Sequence, residues 1–411
     1  MCSTRRAAVL ALVLALQHNS AEPVRSSEDA PSSTPTPRDL RSALLGQSDA
    51  ARSLYRGCAL TAPGALSSAM LADAYTEPRP ASTAKRIVVI FGAQKGGTTS
   101  LLYALKAVRH WCGTFEPHFF DETQWAARHV NSSGLRRYLA LWARCPSTTV
   151  IPYEKTPDYL VSPHAALRVC QTLPAARLVA VLREPVARAY SGFHETFFSG
   201  GTLLADAHVP RSADGFQLIT HIDSQIVARC GGLPRPEESS WDVRGAVVRT
   251  FRACCGETVA RLRSEGLLPG AERLPLIWPG CECASKEAAC TALGDTRAAP
   301  IRRGVYSRQL RTWYARFRPE QVLLLLFDEL TSEPAKQLAR IQQFATGMQP
   351  QGRDASVRMP RMGSKSRKGK GFGNKDLYAR TVEHLGRFYA PFNLELEELL
   401  GRKLPAVWSV T

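Results

Sequence analysis

The sequence predicts an α/β domain in which helices flank a parallel sheet on both faces. Four short apolar runs have the length and composition of buried strands, and a segment with helical periodicity follows each of them. The first run ends in a glycine-rich turn that leads directly into its helix. Alternating strands and helices favour parallel pairing, because each crossover helix returns the chain to the same edge of the sheet.

The predicted elements follow one another in a regular order. Strands are expected over residues 87–91, 148–153, 176–182 and 322–327. Helices are expected over residues 100–109, from Ser162-Pro163 to 171, from about 185 onward, and over 332–347. Ser162 is the expected N-cap of the second helix, since serine caps well and proline suits the first turn.

Residues 197–303 interrupt this order with Gly, Pro, Cys and short amphipathic stretches. We interpret them as a variable, cysteine-containing insertion in the same single domain, where substrate-specific loops are expected. Five of the 11 cysteines lie close together there: Cys254, Cys255, Cys281, Cys283 and Cys290. Disulfides are favoured over zinc, because a Cys-x-Cys pair without a matching Cys-x-x-Cys or paired His fits ligand spacings poorly.

The N-terminal segment has the features of a secretory leader. Arg5 and Arg6 precede an apolar run at residues 7–16, which is shorter than the roughly 20 residues that span a bilayer. Residues 1–21 are therefore predicted to be a signal peptide or a short signal anchor. Residues 22–82, rich in Ser, Pro, Ala and Thr, are predicted to be a disordered stem or linker, and residues 83–411 the folded domain.

The charge balance points to an anionic partner. Lys and Arg number 53 against 36 Asp and Glu, a formal net charge of +17. Such a field favours nucleic acid, anionic membrane or acidic polysaccharide. An Arg-rich composition without functional meaning is the alternative. The secretory features, together with the glycosylation sequon at Asn131, favour the polysaccharide.

Residues 92–99 form a predicted phosphate-binding loop. A buried strand leads into glycines, and a helix follows, so backbone N–H groups and the helix N-terminus would face an anion with Lys95 nearby. Lys95 precedes the pair Gly96-Gly97, whereas a Walker A loop has its lysine after the glycine. The alternative is a tight turn with an incidental lysine. No convincing carboxylate set for magnesium accompanies the loop.

Two segments of the sequence resemble the nucleotide motifs of Golgi carbohydrate sulfotransferases. Residues 91–99 resemble the 5′-phosphosulfate loop of enzymes that act on heparan and chondroitin sulfates, and residues 182–191 resemble the motif that holds a 3′-phosphate. The resemblance implies a P-loop-type sulfotransferase domain that uses 3′-phosphoadenosine 5′-phosphosulfate (PAPS) without a metal. The PAPS-binding residues that it implies in these two segments are Lys95, Gly96, Gly97, Thr98, Thr99, Arg183 and Ser191.

Two further segments resemble the acceptor side of the same family. Residues 116–121 resemble the Glu-x-His-Phe-Phe-Asp stretch of heparan sulfate 3-O-sulfotransferases, which implies that Glu116 is the catalytic base and that His118 shares the acceptor pocket. A half-buried structural histidine is the alternative. Residues 153–159 resemble the family's Glu-Lys-[Ser/Thr]-x-x-Tyr segment, which implies that Lys155 lies near the transferring group. The alternative is a purely structural ion pair between Glu154 and Lys155. The pair Phe119-Phe120 is predicted to be core.

A basic stretch at residues 361–371 resembles the family's nucleotide-closing loop. By that resemblance Ser364, Lys365 and Arg367 contact the 3′-phosphate, whereas a solvated charged surface is the alternative. Some residues depart from the family. Thr99 stands where 3-O-sulfotransferases have arginine, Gly192 where N-sulfotransferases have tryptophan, and no cysteine follows Cys290. These departures leave the acceptor atom open between oxygen and nitrogen.

These features predict sulfuryl transfer from PAPS to a hydroxyl or amino group of a glycosaminoglycan-like polysaccharide in the Golgi lumen. Contact with a membrane is expected only through an N-terminal anchor, and none with nucleic acid. Two alternatives stay open at this point: a P-loop phosphotransferase or kinase, and a non-catalytic polyanion-binding protein on the same fold.

Overall fold

The structure is a computed structural model that describes residues 57, 87–107, 111–121, 137–142, 145, 151–162, 164–196, 209–230, 241–267, 281, 290–291, 294–295, 299–347 and 375–408. The predicted leader and the sequon at Asn131 lie outside these residues, as does the predicted stem except for Gly57. In the part of the chain that is described, none of the helices combines the length and apolarity needed to cross a bilayer.

A five-stranded parallel sheet forms the centre of the fold. Its strands are β1 (Val88–Gly92), β2 (Trp111–Phe115), β3 (Ile151–Lys155), β4 (Arg177–Leu182) and β7 (Val322–Leu326), in the order β2-β3-β1-β4-β7. Two short strands, β5 (Cys290–Thr291) and β6 (Gly294–Asp295), pair separately and antiparallel. The strand order switches at β1: β2 and β3 lie on one side of it, and β4 and β7 lie on the other. In parallel sheets a ligand usually binds at the carboxyl end of the strands at such a switch point.

Helices accompany these strands along the described chain. They are α1 (Thr98–Ala107), α2 (Ala165–Thr172), α3 (Pro185–Thr196), α4 (Ala213–Cys230), α5 (Trp241–Ser264), α6 (Tyr306–Tyr314), α7 (Phe327–Ser332), α8 (Pro334–Thr346) and α9 (Lys375–Leu400). Short 3₁₀ turns occupy Pro157–Tyr159, Arg302–Gly304, Pro319–Gln321 and Ala406–Trp408. The predicted fold class, a parallel sheet flanked by helices, is confirmed.

The two faces of the sheet are buried by different helices. Successive strand residues alternate between faces, so Val89 and Phe91 join the apolar cluster of α2, α6 and the end of α9. Val88 and Ile90 join the opposite cluster with α1 and α8. Both faces are thus covered, which is why the strands read as continuous apolar runs in the sequence.

The predicted insertion contains two long helices with a core of their own. Helices α4 and α5 pack with α3 and the first half of α9 around buried apolar side chains such as Phe216 and Leu385. Disulfides Cys230–Cys254 and Cys255–Cys281 join this region, and Cys112–Cys145 joins β2 to a later segment. The disulfide interpretation is therefore confirmed for Cys254, Cys255 and Cys281, whereas Cys283 lies outside the described residues.

Three local predictions were wrong or incomplete. Strand β2 was not predicted, because only its first residue, Trp111, is buried and Phe115 is half exposed. Helix α2 begins at Ala165 with His164 as N-cap, so Ser162 does not cap it. The helix expected over 332–347 is present as α8 (Pro334–Thr346), but the short helix α7 (Phe327–Ser332) before it was not predicted; Pro334 occupies the first turn of α8 and separates the two.

Candidate active site

The functional residues predicted from four separate segments meet at the carboxyl edge of the sheet. Strand β1 leads into the phosphate turn, Glu116 and Arg183 directly follow β2 and β4, and Lys155 is the last residue of β3. The Arg183 Nη1 atom lies 3.5 Å from the Lys95 carbonyl, and the Lys155 Nζ lies 2.5 Å from Glu116 Oε1. Parallel pairing produces this convergence, because the carboxyl ends of all the strands lie on one edge.

The phosphate turn has a backbone that only glycine can complete. A Cβ on Gly96 would lie 2.2 Å from the Val181 carbonyl oxygen, which no side chain tolerates. Gly97 has a φ of 96°, in the left-handed region, and its Cβ position lies 2.8 Å from Phe327. Lys95 is itself left-handed with a φ of 64°. Helix α1 follows at once at Thr98, so the turn ends in a helix N-terminus suited to an anion.

Lys95 is held by a carboxylate that the sequence motifs did not indicate. Its Nζ lies 2.9 Å from Glu195 Oε2, on helix α3. The Lys95 and Glu195 side chains are 27% and 44% exposed, so water and a charged ligand can compete for the ion pair. Ser191 precedes Glu195 by one helical turn and is half-buried, which puts it on the side of α3 that reaches Lys95.

Arg183 lies directly after β4, as predicted. Its guanidinium carbon lies 4.9 Å from the centre of the Phe327 ring, and its carbonyl oxygen accepts a hydrogen bond of 2.9 Å from the Tyr306 hydroxyl. The aromatic face orients the guanidinium without neutralising it. An arginine held in this way retains its donors for a phosphate.

Glu116 and Lys155 form the centre of the acceptor side. Glu116 continues the pairing of β2 with β3, since its N–H donates to the Lys155 carbonyl at 2.8 Å. Its carboxylate meets the Lys155 ammonium, which is 1% exposed and lies 4.2 Å from the centre of the Phe115 ring. Burial lowers the pKa of Lys155, while the hydrogen bond and charge of Glu116 oppose that shift.

His118 belongs to a second group of charges next to this pair. Its Nδ1 lies 2.9 Å from Asp121 Oδ2, and Arg303 forms an ion pair with Asp158 close by. Burial disfavours the imidazolium, but the hydrogen bond and charge of Asp121, with the nearby carboxylates of Asp158 and Glu116, outweigh it and raise the pKa of His118. The histidine is therefore half-buried and partnered, as the structural alternative expected, and also adjacent to the predicted base.

His118, Asp121 and Asp158 offer ligand atoms that all lie within 4.8 Å of one another. Such a set could hold a cation by composition. Arg303 already neutralises Asp158, however, and Asp121 is hydrogen-bonded to His118, so a metal would have to displace both contacts. The expected absence of a metal stays a prediction.

The neighbour of Lys155 on β3 lies on the other side of the strand. Glu154 is fully buried and accepts hydrogen bonds from the hydroxyls of Tyr138 at 2.7 Å and Tyr159 at 3.2 Å. Burial raises its pKa to about 7, although these hydroxyls oppose the shift. Because successive residues of a strand point to opposite faces, Glu154 does not pair with Lys155, which pairs with Glu116 instead. The alternative of a structural Glu154–Lys155 ion pair is therefore wrong.

Several residues of this site were not identified from the sequence: Phe115, Asp158, Glu195 and Arg303. Asp158 lies in a segment that resembles the family and Arg303 lies at the end of the predicted insertion, and their contact joins positions far apart in the chain. The prediction for Phe119 and Phe120 is confirmed, since both are buried in the core. The predicted nucleotide residues Ser364, Lys365 and Arg367 lie outside the described residues, so their role stays a prediction.

The fold and the geometry define a class of protein. A glycine-rich turn at the switch point of a parallel sheet, with a lysine out of Walker order, suits a phosphate-containing nucleotide. A carboxylate and a buried ammonium beside it suit a group transfer from that nucleotide to a second substrate.

Known relatives of the chain are sulfotransferases. It is 24% identical over 334 positions to human heparan sulfate glucosamine 3-O-sulfotransferase 3B1, covering 76% of this chain and 63% of that protein. It is 32% identical over 111 residues to the Caenorhabditis briggsae bifunctional heparan sulfate N-deacetylase/N-sulfotransferase 1, covering 27% of this chain and 13% of that protein.

It is also 22% identical over 274 residues to the Dictyostelium discoideum membrane-associated sulfotransferase kil1, covering 62% of this chain and 55% of that protein. A solved sulfotransferase from Alicyclobacillus acidocaldarius aligns with a TM-score of 0.44 at 19% identity, over 79% of this chain and 98% of that one.

No protein-family model matches the sequence. The chain spans less than two thirds of the length of the human heparan sulfate glucosamine 3-O-sulfotransferases 3B1 and 3A1, at 63% and 60%. The resemblance to sulfotransferases that the sequence motifs indicated is confirmed by these relatives.

Proposed function

We propose that the protein is a PAPS-dependent sulfotransferase that acts on a hydroxyl or amino group of a glycosaminoglycan-like polysaccharide. The observation that carries this proposal is the contact between Glu116 and the buried ammonium of Lys155, next to a glycine-rich phosphate turn. A base and a cation in contact at the end of a nucleotide turn are what sulfuryl transfer to a poor nucleophile requires.

The residues at the turn fit the co-substrate. Gly96 has no Cβ to clash within the turn, and the N-terminus of helix α1 lies at the end of the turn. Lys95 and Arg183 supply two positive charges. In the proposed complex Lys95, Gly96, Gly97, Thr98 and Thr99 hold the 5′-phosphosulfate. Arg183 and Ser191 hold the 3′-phosphate, together with Ser364, Lys365 and Arg367. Bound PAPS supplies an activated sulfuryl group whose leaving group is a phosphate.

The residues on the acceptor side would divide the work between a base and a cation. Glu116 takes the proton from the acceptor group, whose nucleophilic atom then forms a bond to sulfur as the bond from sulfur to the 5′-phosphate oxygen breaks. The contact with Lys155 uses Glu116 Oε1, so the other carboxylate oxygen can accept that proton; protonation then weakens the ion pair and leaves the ammonium to stabilise the sulfuryl oxygens. Lys95 balances the charge on the departing phosphate, and His118 lines the acceptor side.

The acceptor proposal rests on charge and exposure. The net charge of +17 attracts a polyanion by screened attraction, and the Phe115 ring beside Lys155 is 51% exposed, which offers an apolar surface for a sugar face. The disulfides are compatible with the proposed Golgi lumen, since such bonds persist in the secretory pathway. The acceptor polymer would be acidic and the partner not nucleic acid.

The proposal is tested by incubating the purified protein with radiolabelled PAPS and a panel of heparan sulfate, N-sulfated heparosan, chondroitin and dermatan. We expect label to enter at least one polymer. The Glu116→Gln variant should lose about 10²- to 10⁴-fold in kcat, the range for general base catalysis, and bind the product nucleotide as wild type does.

Two outcomes contradict the proposal. Label in no polymer, together with magnesium-dependent phosphate transfer from ATP, would favour a phosphotransferase. Tight polysaccharide binding without turnover, equal in wild type and Glu116→Gln, would favour a binding protein.

A further inference from the structure

The loop that carries Glu116 and His118 has an unfavourable backbone. Glu116 and His118 have φ values of 45° and 49°, in the left-handed region that residues with a Cβ rarely adopt. Two such residues in three positions persist only when the surrounding structure holds them there. The contacts of residues 116–121 therefore determine where the predicted base points.

One buried hydroxyl holds the backbone of this loop. The Tyr159 oxygen accepts hydrogen bonds from the N–H groups of Phe119 at 3.1 Å and Phe120 at 3.3 Å. It donates its own proton to Glu154 Oε2 at 3.2 Å. One donor and two acceptor positions are all that a tyrosine hydroxyl can offer, so its hydrogen-bonding capacity is filled.

Glu154 fixes the direction of that hydroxyl. The Tyr138 hydroxyl donates to Glu154 Oε1 at 2.7 Å and the Thr156 hydroxyl to Oε2 at 3.4 Å, so both carboxyl oxygens are engaged. Glu154 and Tyr159 are both 0% exposed. With its proton committed to the carboxyl group, the Tyr159 oxygen can only accept from the loop.

We propose that Tyr159, oriented by Glu154, is a positioning residue for the catalytic loop of the sulfotransferase reaction proposed above. Tyr159 anchors the backbone just after His118. Lys155, which follows Glu154 on β3, contacts the Glu116 carboxylate. Strand β3 also holds the start of the loop, because the Lys155 carbonyl accepts from the Glu116 N–H and the Lys155 side chain contacts the Glu116 carboxylate. Arg168 supports the same segment by donating to the Phe120 carbonyl at 2.8 Å.

The test compares two single-oxygen deletions in the same network. Tyr159→Phe removes the hydroxyl that holds the loop and leaves the ring against Phe120. Tyr138→Phe is the matched control: it removes another hydroxyl from the same Glu154 carboxyl and leaves the ring stacked on Phe119. Both variants are assayed well below their melting temperatures for kcat, for KM of PAPS and acceptor, and for affinity toward the product nucleotide.

We expect Tyr159→Phe to lower kcat by about 10- to 100-fold, since a misplacement near 1 Å costs that much, with nucleotide affinity within about twofold of wild type. Tyr138→Phe should change kcat by less than about threefold, because its hydroxyl does not hold the loop backbone. A purely structural role would lower stability in both variants and leave their kcat values equal.

Hydrogen exchange provides a readout that needs no enzymatic activity. The amides of Phe119 and Phe120 should be protected in the wild type and should exchange at least about tenfold faster in Tyr159→Phe. If Tyr159→Phe does not fold, Glu154→Gln, which keeps the shape of the side chain, should show the same change in a smaller degree.

Unchanged exchange of these amides in Tyr159→Phe, or in Glu154→Gln where the first variant does not fold, would overturn the proposal. So would equal kcat values for Tyr159→Phe and Tyr138→Phe. Faster exchange in a protein that transfers no sulfuryl group would support the anchor and contradict the proposed function instead.

Discussion

The two halves of the site are built in different ways. The proposed nucleotide half consists of residues 92–99 with Arg183 and Ser191, and the shape of its phosphate turn comes from the local backbone. The proposed acceptor half consists of Glu116, His118 and Lys155 with their partners, and its shape comes from charged side chains on several elements, buried or half-buried. The first half depends on local geometry, and the second on the tertiary structure that keeps charges apart from water.

The largest effect is expected from a methyl group in the phosphate turn. Gly96→Ala puts a Cβ 2.2 Å from the Val181 carbonyl oxygen, so the turn must move. We expect product nucleotide affinity to fall by at least about 100-fold, because backbone donors cannot be supplied by other residues. Isothermal titration calorimetry measures this directly.

Gly256→Ala is the matched control, since its Cβ position on α5 has no atom within 4 Å. That variant should bind the nucleotide as wild type does. A Gly96→Ala protein with wild-type affinity would show that backbone geometry does not define the nucleotide half.

A smaller but specific effect is expected from the buried ammonium. Lys155→Met keeps the length of the side chain and removes the charge opposite Glu116. We expect kcat to fall by about 100-fold, as for the loss of one electrostatic donor to the transition state. Stability should fall, because the change removes one partner of the ion pair and leaves the Glu116 carboxylate, which is 31% exposed, without its cation.

Lys336→Met is the control for lysine removal, because Lys336 is 66% exposed and pairs with Glu333 on the surface. It should alter neither kcat nor stability measurably. A loss in PAPS affinity rather than kcat in Lys155→Met would place this ammonium in the nucleotide half instead.

The smallest expected effect is a pH dependence of stability that comes from Glu154, next to the acceptor half on β3. Burial raises the pKa of Glu154 from 4.5 to about 7, against the hydroxyls of Tyr138, Tyr159 and Thr156 and with the nearby charge of Asp121. A raised pKa means that the folded protein retains the Glu154 proton to a higher pH than the unfolded chain does. The stabilisation is therefore complete below about pH 4.5 and is lost as the pH rises to about 7.

Glu154→Gln should remove this slope. The free energy of unfolding of the wild type, relative to the variant, should fall by on the order of 2–3 kcal/mol between pH 4.5 and 7, as urea titrations at several pH values would measure. Parallel pH profiles of the two proteins would show that Glu154 titrates normally.

The nucleotide half and the core strands could be predicted from the sequence because their causes are local. Buried parallel strands are apolar throughout, and a glycine turn before a helix is visible in a few residues. Strand β2 escaped because it lies at the sheet edge and contains Gly113 and Thr114 among few buried residues.

The long-range partners in both halves could not be read in this way. Glu195 is 100 residues from Lys95, and Arg303 is 145 residues from Asp158, so only the folded chain brings them together. Glu116 and Lys155 were identified through resemblance to a family, and periodicity alone would have left them as ordinary polar residues. Cysteine spacing likewise indicated disulfides without their pairing.

The contacts of Gly57 show at which edge of the sheet this residue lies. Its N–H donates to the Ala315 carbonyl at 3.1 Å, and its own carbonyl accepts from Arg316 at 3.3 Å, just beyond the end of α6 and before β7 begins. This contact lies at the amino edge of the sheet, and a five-residue strand separates it from the carboxyl edge by about 16 Å. The polymer proposed as acceptor, bound at the carboxyl edge, would therefore approach from the end of the domain opposite to Gly57.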